Sequence, residues 1–156
     1  MYQFQNNEES WVRLDYKIIQ GGNSIKLYCD TKILEGDIAW LTSENYLIKE
    51  FDCQNWNDKE ILHNNLHAKF DFPNYYGGNF DALQESLNEI DIEESGLVVV
   101  FRNFDRINTK TAHTLLDVFA TSSRYHLTFG KRLLILLEVN KSFKTESVGA
   151  VEVRWF

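Results

Sequence analysis

Hydrophobic and polar residues alternate near the start of the chain as they do in a half-buried β-strand. Residues 11–16 (Trp-Val-Arg-Leu-Asp-Tyr) show this alternation, and residues 24–28 form a second short run after the turn signal Gly21-Gly22. Together the two runs predict an antiparallel β-hairpin. Residues 32–43 do not favour one structure, although Asp37 could cap a short helix that ends near Leu41.

From residue 46 onward the pattern changes to alternating strands and helices. Strands are predicted at residues 46–53, 97–101 and 132–139, and helices at about 58–70, 79–90 and 109–123. Asn57 precedes Asp58-Lys59-Glu60 and is expected to cap the first of these helices. This order predicts an α/β fold with a parallel sheet and right-handed crossovers, and residues 148–156 predict one further edge strand.

These changes of pattern divide the chain into three parts. Residues 1–45 are expected to form an N-terminal β-hairpin extension, residues 46–140 the α/β core, and residues 141–156 a C-terminal strand extension. The sequence leaves open whether the two extensions stabilise the core or add a second contact surface.

The net charge of the chain limits the kinds of molecule that it is expected to bind. The chain has 156 residues and a formal net charge of −7, which disfavours nucleic acid and anionic membranes because both attract basic surfaces. A basic protein partner fits this charge, although solubility alone also accounts for it. We expect a cytoplasmic protein, since the N-terminus lacks the features of a secretory signal and the apolar runs are too short to span a bilayer. We also expect a monomer in the free state, with Cys29 and Cys53 as buried free thiols.

Residues 70–101 contain seven carboxylates and no lysine or arginine. On the helix predicted within this segment, the apolar residues at positions 80, 83, 87 and 90 share one face, which must lie in the core. Asp81, Glu85 and Glu89 lie one turn apart on another face. Because like charges at this spacing repel each other, the row indicates selection for a cationic partner outside the fold. A solvated acidic surface is the alternative.

The segment before this helix combines rigid and flexible residues. Pro73 restricts the backbone, Gly77-Gly78 allow a tight or left-handed turn, and Asn79 can cap the helix. Tyr75 and Tyr76 have the rigid amphipathic side chains that anchor protein interfaces. We expect one of these two tyrosines to lie in the core instead.

Residues 72–87 (Phe-Pro-Asn-Tyr-Tyr-Gly-Gly-Asn-Phe-Asp-Ala-Leu-Gln-Glu-Ser-Leu) resemble the signature P-x-Y-Y-G-x-N-x-D-A-L-x-(D/E)-x-L of the barstar family. The order of strands and helices between residues 46 and 139 also fits that family. The resemblance implies a small α/β core with a three-stranded parallel sheet. It further implies an intracellular ribonuclease inhibitor, or immunity protein, that uses no cofactor. The best-known member of the family blocks a secreted ribonuclease inside the cell that makes it.

The same resemblance implies which residues contact the nuclease. The loop and the helix would insert into the nuclease active site, with Glu85 in the place of the central acidic residue, where a phosphate of RNA binds. A rigid carboxylate there can bind the cationic side chains that a ribonuclease gathers around the scissile phosphate. The expected partner-binding residues are Tyr75, Tyr76, Gly77, Gly78, Asn79, Asp81, Gln84, Glu85, Asn88 and Glu89.

Three residues depart from the best-known member of that family. Gln84 replaces an aromatic contact, Glu85 is one methylene longer than the usual aspartate, and Thr121 lies near the position of an acidic contact on the third helix. These differences bear on the identity of the target nuclease much more than on the fold.

Two other functions fit parts of the sequence. A regulatory or scaffold module could keep the barstar-like fold and bind a protein that is not a nuclease, since fold alone does not determine function. For an enzyme, Asp81 and Glu85 could form a hydrolase acid/base pair, and His63 and His67 could bind a metal at i and i+4. No third ligand follows at a recognisable spacing, and exposed polar histidines are the simpler interpretation. We therefore expect neither catalysis nor a metal site.

Overall fold

Every strand of the sheet lies parallel to its neighbours in the computed structural model, which describes residues 1–149, 151 and 153–155. The strands are β1 (Ile25–Tyr28), β2 (Tyr46–Asp52), β3 (Gly96–Arg102), β4 (Leu133–Glu138) and β5 (Arg154–Trp155). The helices are α1 (Glu8–Trp11), α2 (Leu14–Gln20), α3 (Thr31–Ser43), α4 (Lys59–Phe70), α5 (Phe80–Glu89) and α6 (Thr109–Leu127). A one-turn 3-10 helix, Phe104–Arg106, follows β3.

The sheet has helices on both faces. Its strand order is β2-β3-β4-β1-β5, and β3 and β4 are buried along almost their whole length. Val99 and Ile135 belong to the core formed with α4, α5 and α6, whereas Val98 and Leu134 belong to the core formed with α2 and α3. This arrangement explains the continuous apolar runs of both strands, because successive side chains enter different cores. The predicted α/β class with a parallel sheet is confirmed.

The predicted N-terminal hairpin is wrong. Trp11 ends α1 and residues 14–16 begin α2, and β1 pairs in parallel with β4 and β5 instead of with the segment before it. Six alternating residues are too few to distinguish a strand from a helix, and in α2 the buried residues Asp15 and Ile18 follow helical spacing. The first 45 residues therefore contribute β1 to the same sheet. The sheet has four strands and the short β5, rather than three strands with an antiparallel addition.

Helix α3 begins earlier than residue 37. Its cap is Asp30, which accepts a hydrogen bond from the backbone N–H of Lys32. Asp37 lies inside the helix, so the expectation that it caps a helix is wrong. Its carboxylate accepts hydrogen bonds from Lys26, at 2.9 Å, and from the hydroxyl of Tyr28. Asp37 thus joins α3 to β1.

Helix α4 is capped by Asp58 rather than by Asn57. The Asp58 side chain accepts hydrogen bonds from the backbone N–H groups of Glu60 and Ile61. Asn57 instead accepts a hydrogen bond from the backbone N–H of Asn108, at 2.8 Å, and so joins the starts of α4 and α6. Helix α6 extends four residues beyond its predicted end and finishes at Leu127.

A buried ion cluster joins the N-terminal segment to the starts of β2 and β4. The fully buried Asp15 carboxylate accepts hydrogen bonds from Arg13 at 3.1 Å and from the Tyr46 hydroxyl at 2.7 Å. It also pairs with Arg132 at 3.5 Å, and the Arg132 guanidinium lies 3.8 Å from the ring centroid of Phe4. Because a buried carboxylate is costly unless it is paired and hydrogen-bonded, these contacts fix α2 against the sheet.

The C-terminal segment passes along α6 before it reaches the sheet. The imidazole of His113 donates a hydrogen bond to the Ser147 carbonyl at 3.1 Å, and Val148 forms an antiparallel bridge with Val151. Residues 154–155 then form β5 beside β1. The strand predicted at 148–156 is therefore found at its end, while residues 150, 152 and 156 lie outside the described residues.

The two free cysteines have different environments. Cys53 is buried, and burial, followed by the charge of Asp52, raises the pKa of its thiol. Cys29 is exposed just beyond the end of β1, so the expectation that both thiols are buried is wrong.

In the part of the chain that the structure describes, no helix has the length and apolar character needed to cross a membrane.

Replacement of Asp15 by alanine is expected to lower the free energy of unfolding by roughly 3–5 kcal/mol, because the buried Arg132 loses its carboxylate partner. Urea unfolding followed by tryptophan fluorescence measures this change. The control Glu9→Ala removes an exposed carboxylate from α1 and should change the same quantity by less than about 0.5 kcal/mol. A loss below about 1 kcal/mol for Asp15→Ala would mean that the ion cluster does not stabilise the fold.

Candidate partner-binding surface

One face of α5 is buried and the opposite face is acidic. Asn79 caps the helix by accepting a hydrogen bond from the backbone N–H of Ala82 at 2.8 Å, and Leu83 and Leu87 are fully buried. With 3.6 residues per turn, this burial directs the residues at 81, 85 and 89 away from the core. These three exposed carboxylates, called the acidic row below, are Asp81, Glu85 and Glu89.

The acidic row lacks a counter-charge among the residues that the structure describes. Within the described residues, none of its carboxylates forms an ion pair, whereas Arg102 binds the carboxylates of Glu35, Glu50 and Glu138 at the end of β3. Neighbouring like charges on a helix repel each other, and the helix dipole does not favour carboxylates in the later turns. The acidic row is thus a local concentration of negative charge on the exposed face of α5.

The two adjacent tyrosines before α5 differ in burial. The ring of Tyr76 stacks on His67 with 5.8 Å between centroids and contacts Phe72 at 5.1 Å, and its hydroxyl shares a hydrogen bond with Nδ1 of His63. Tyr75 keeps 79% of its surface exposed. The prediction that one of the two tyrosines packs against the core is confirmed for Tyr76, and Tyr75 remains available to a partner.

The turn between Tyr76 and α5 displays backbone rather than large side chains. Gly78 has a φ of +64°, in the left-handed region that favours glycine. Gly77, Gly78 and Asn79 are all exposed. A partner can therefore approach the main chain closely between Tyr75 and the acidic row.

The two histidines of α4 support the loop. His63 is buried, so the expectation of an exposed polar side chain is wrong for this residue. Burial, followed by the charge of Lys59, lowers the pKa of the His63 imidazole. Burial also raises the pKa of the Tyr76 hydroxyl to about 12.

The described residues include no group of three or more His, Cys, Asp or Glu side chains that could hold a metal ion.

Helix α6 packs against α5. The imidazole of His126 donates a hydrogen bond to the Leu87 carbonyl at 2.8 Å and joins the last turns of the two helices. Gln84 and Asn88 are partly buried and linked by a hydrogen bond of 3.2 Å. They lie one step around α5 from the acidic row, so they form its margin. Thr121 is partly buried on α6.

Sequence reasoning missed the support beneath this surface. The contact of Tyr76 with His63 and the contact of His126 with Leu87 join residues 13 and 39 positions apart. A spacing of i and i+4 for His63 and His67 correctly placed both side chains on one side of α4. Nothing in the local pattern indicated that their partner is a tyrosine ring.

The fold and the residues of this surface define a barstar-like protein. Residues 46–138, which include β2, β3, β4 and the acidic row, match the family described as "Barstar (barnase inhibitor)". The chain belongs to the barstar family, as its signature in residues 72–87 predicted.

One relative and one solved structure extend this comparison. A protein of Bacillus subtilis (strain 168), "Putative ribonuclease inhibitor YrdF", is 41% identical over 59 residues, which are 37% of this chain. The match spans 62% of the length of that relative. A chain of the "Structure of Drosophila ORC bound to AT-rich DNA and Cdc6" has a TM-score of 0.55, covering 89% of this chain and 49% of its own length. At 15% identity, that likeness concerns the fold alone.

The buried His63 predicts a loss of stability in weak acid. Its folded-state pKa is lower than the usual 6.5, so the unfolded chain binds the additional proton and the free energy of unfolding falls as pH drops through that value. Urea unfolding at about pH 7.5 and about pH 5.5 should show a smaller drop for His63→Asn than for the wild type. Equal drops in the two proteins would exclude His63 as a source of the pH dependence.

Proposed function

We propose that the protein inhibits a basic ribonuclease or a related toxin by covering its active site with the acidic row and the loop before it. The observation that carries this proposal is the set of exposed carboxylates without counter-charge among the described residues. A ribonuclease gathers cationic side chains around the phosphate of RNA, and rigid carboxylates can bind the same donors. The barnase-inhibitor family and the name of the Bacillus relative support this role.

The surface is suited to tight binding because it is rigid before the partner arrives. Leu83 and Leu87 fix α5 on the core, and the Tyr76 ring fixes the loop on α4. A helix and a loop whose backbone is already ordered lose less conformational entropy on association. Tyr75 is the candidate aromatic anchor, since it is exposed beside a fixed neighbour.

Glu85 is the central contact of the proposed surface. It lies one helical turn from both Asp81 and Glu89, so its carboxylate is surrounded by negative charge on two sides. A cation that binds there interacts favourably with all three groups. The proposed contact residues are Tyr75, Tyr76, Gly77, Gly78, Asn79, Asp81, Gln84, Glu85, Asn88 and Glu89.

The residues at the margin of the acidic row should determine which target the surface prefers. Gln84 is polar and partly buried where the best-known family member has an aromatic contact, and Thr121 is uncharged. We expect the target to offer hydrogen-bonding groups at this margin rather than a flat apolar surface. The protein acts in this proposal as a binder without catalysis of its own, as a monomer in the cytoplasm, where an exposed thiol such as Cys29 stays reduced.

Glu85→Lys should weaken binding to the target nuclease by roughly a hundredfold or more, because it replaces the central carboxylate with a repelling charge. The fold should be unchanged, since the side chain is exposed. Barnase is the first probe, titrated in a ribonuclease assay, and nucleases captured from the source cell on immobilised wild-type protein are the second. Complete inhibition at about one equivalent is expected of the wild type.

The matched control is Glu146→Lys, which makes the same change of charge at an exposed residue of the C-terminal segment. It should bind as the wild type does. Unchanged binding by Glu85→Lys would mean that α5 is not the contact surface. Binding of a non-nuclease protein, without inhibition of any nuclease, would favour a regulatory or scaffold module.

Association with the nuclease should slow as salt rises, because attraction between the acidic row and a basic partner is screened beyond roughly 10 Å at 0.1 M salt. Stopped-flow fluorescence at increasing sodium chloride concentration measures the association rate constant. The dissociation rate constant should change much less. An association rate that does not respond to salt would contradict electrostatic steering.

A further inference from the structure

A cleft of about 350 Å³ lies on the flank of α5 opposite to Gln84 and Asn88. Its walls are the edge strand β2, the end of α4 and the segments before and after α5. Leu47 is 56% exposed at its mouth. The apolar lining includes Leu47, Phe70, Phe72, Ile90, Ile92 and Leu97.

The rim of the cleft is strongly acidic. Asp71, Glu89, Asp91 and Glu93 line it, all four are exposed, and none is ion-paired among the described residues. Lys49 belongs to the same lining, and its ammonium donates a hydrogen bond to the Lys69 carbonyl at 2.8 Å. The ammonium of Lys69 in turn donates to the Glu50 carbonyl on β2. The cleft therefore combines an apolar floor with a surplus of negative charge.

We infer that this cleft is a second docking site for the same basic partner. It takes an aliphatic or aromatic side chain that is flanked by lysine or arginine on a loop of that partner. The apolar side chain of the partner is buried against the apolar floor of the cleft, and the flanking cations form ion pairs with the carboxylates of the rim. Acidic loops are repelled, which gives the cleft selectivity. The inference rests on the proposed function, because Glu89 belongs to both the cleft and the acidic row.

Defined peptides test the cleft without the nuclease. The ¹⁵N-labelled protein is titrated with acetyl-Lys-Phe-Lys-amide and observed by NMR, with the Lys-Ser-Lys and Glu-Phe-Glu peptides as controls. The first peptide should cause saturable shifts of the amides of Leu47, Ile92 and Leu97. Lys-Ser-Lys should bind roughly tenfold more weakly, since it lacks the apolar side chain, and Glu-Phe-Glu should not bind.

Leu47→Lys places a cation at the mouth of the cleft and should lower the affinity for the Lys-Phe-Lys peptide roughly tenfold. Ile33→Lys is the matched control, because Ile33 is 52% exposed on α3, which covers the other face of the sheet. It should leave the affinity within about twofold of the wild type.

Glu85→Lys separates the cleft from the proposed inhibition. The variant should lose inhibition of the nuclease while the peptide still shifts the cleft amides. Shifts that do not saturate, or that spread equally over α1, α2 and α3, would overturn the inference even if inhibition persists. Cleft binding without any nuclease inhibition by the wild type would instead overturn the inhibitor function.

Discussion

The burial of Leu83 and Leu87 is the constraint on which the candidate surface depends. Because a helix repeats every 3.6 residues, the burial of these two leucines determines where the carboxylates of α5 point. The core thus supplies rigidity, and the acidic row supplies charge without a share in folding. Because these carboxylates are exposed and form no ion pair among the described residues, substitutions in that row should have little effect on stability.

The N-terminal segment depends on a different kind of interaction. Asp15 with Arg132, and Asp37 with Lys26, link α2 and α3 to the sheet through charged pairs in largely buried surroundings. Such pairs contribute less to net stability than apolar contacts of the same size. Removal of one member is nevertheless costly, because the other charge is then buried without a partner. The pairs therefore hold α2 and α3 on one face of the sheet, while main-chain hydrogen bonds such as Ile135 N–H to the Ser24 carbonyl hold β1 beside β4.

The parts of the fold that depend on contacts between residues close in sequence could be predicted, and the parts that depend on contacts between distant residues could not. Strands β3 and β4 could be predicted because their apolar runs are continuous, and α5 could be predicted because Asn79 caps an amphipathic turn. The segment at residues 11–16 could not, since the burial of Asp15 depends on Arg132, which lies 117 positions later. The same holds at the candidate surface. Periodicity anticipated the exposed carboxylates, whereas the burial of His63 required knowledge of the Tyr76 ring.

The paired lysines beside β2 have a consequence for the exposed edge of the sheet. An outermost strand of a sheet offers main-chain groups to which a strand of another molecule can add, and this addition begins many aggregates. Here the ammonium of Lys69 occupies the Glu50 carbonyl, and Lys49 bonds back to α4. The Lys69 side chain thereby covers one of the main-chain acceptors that an added strand would need on β2.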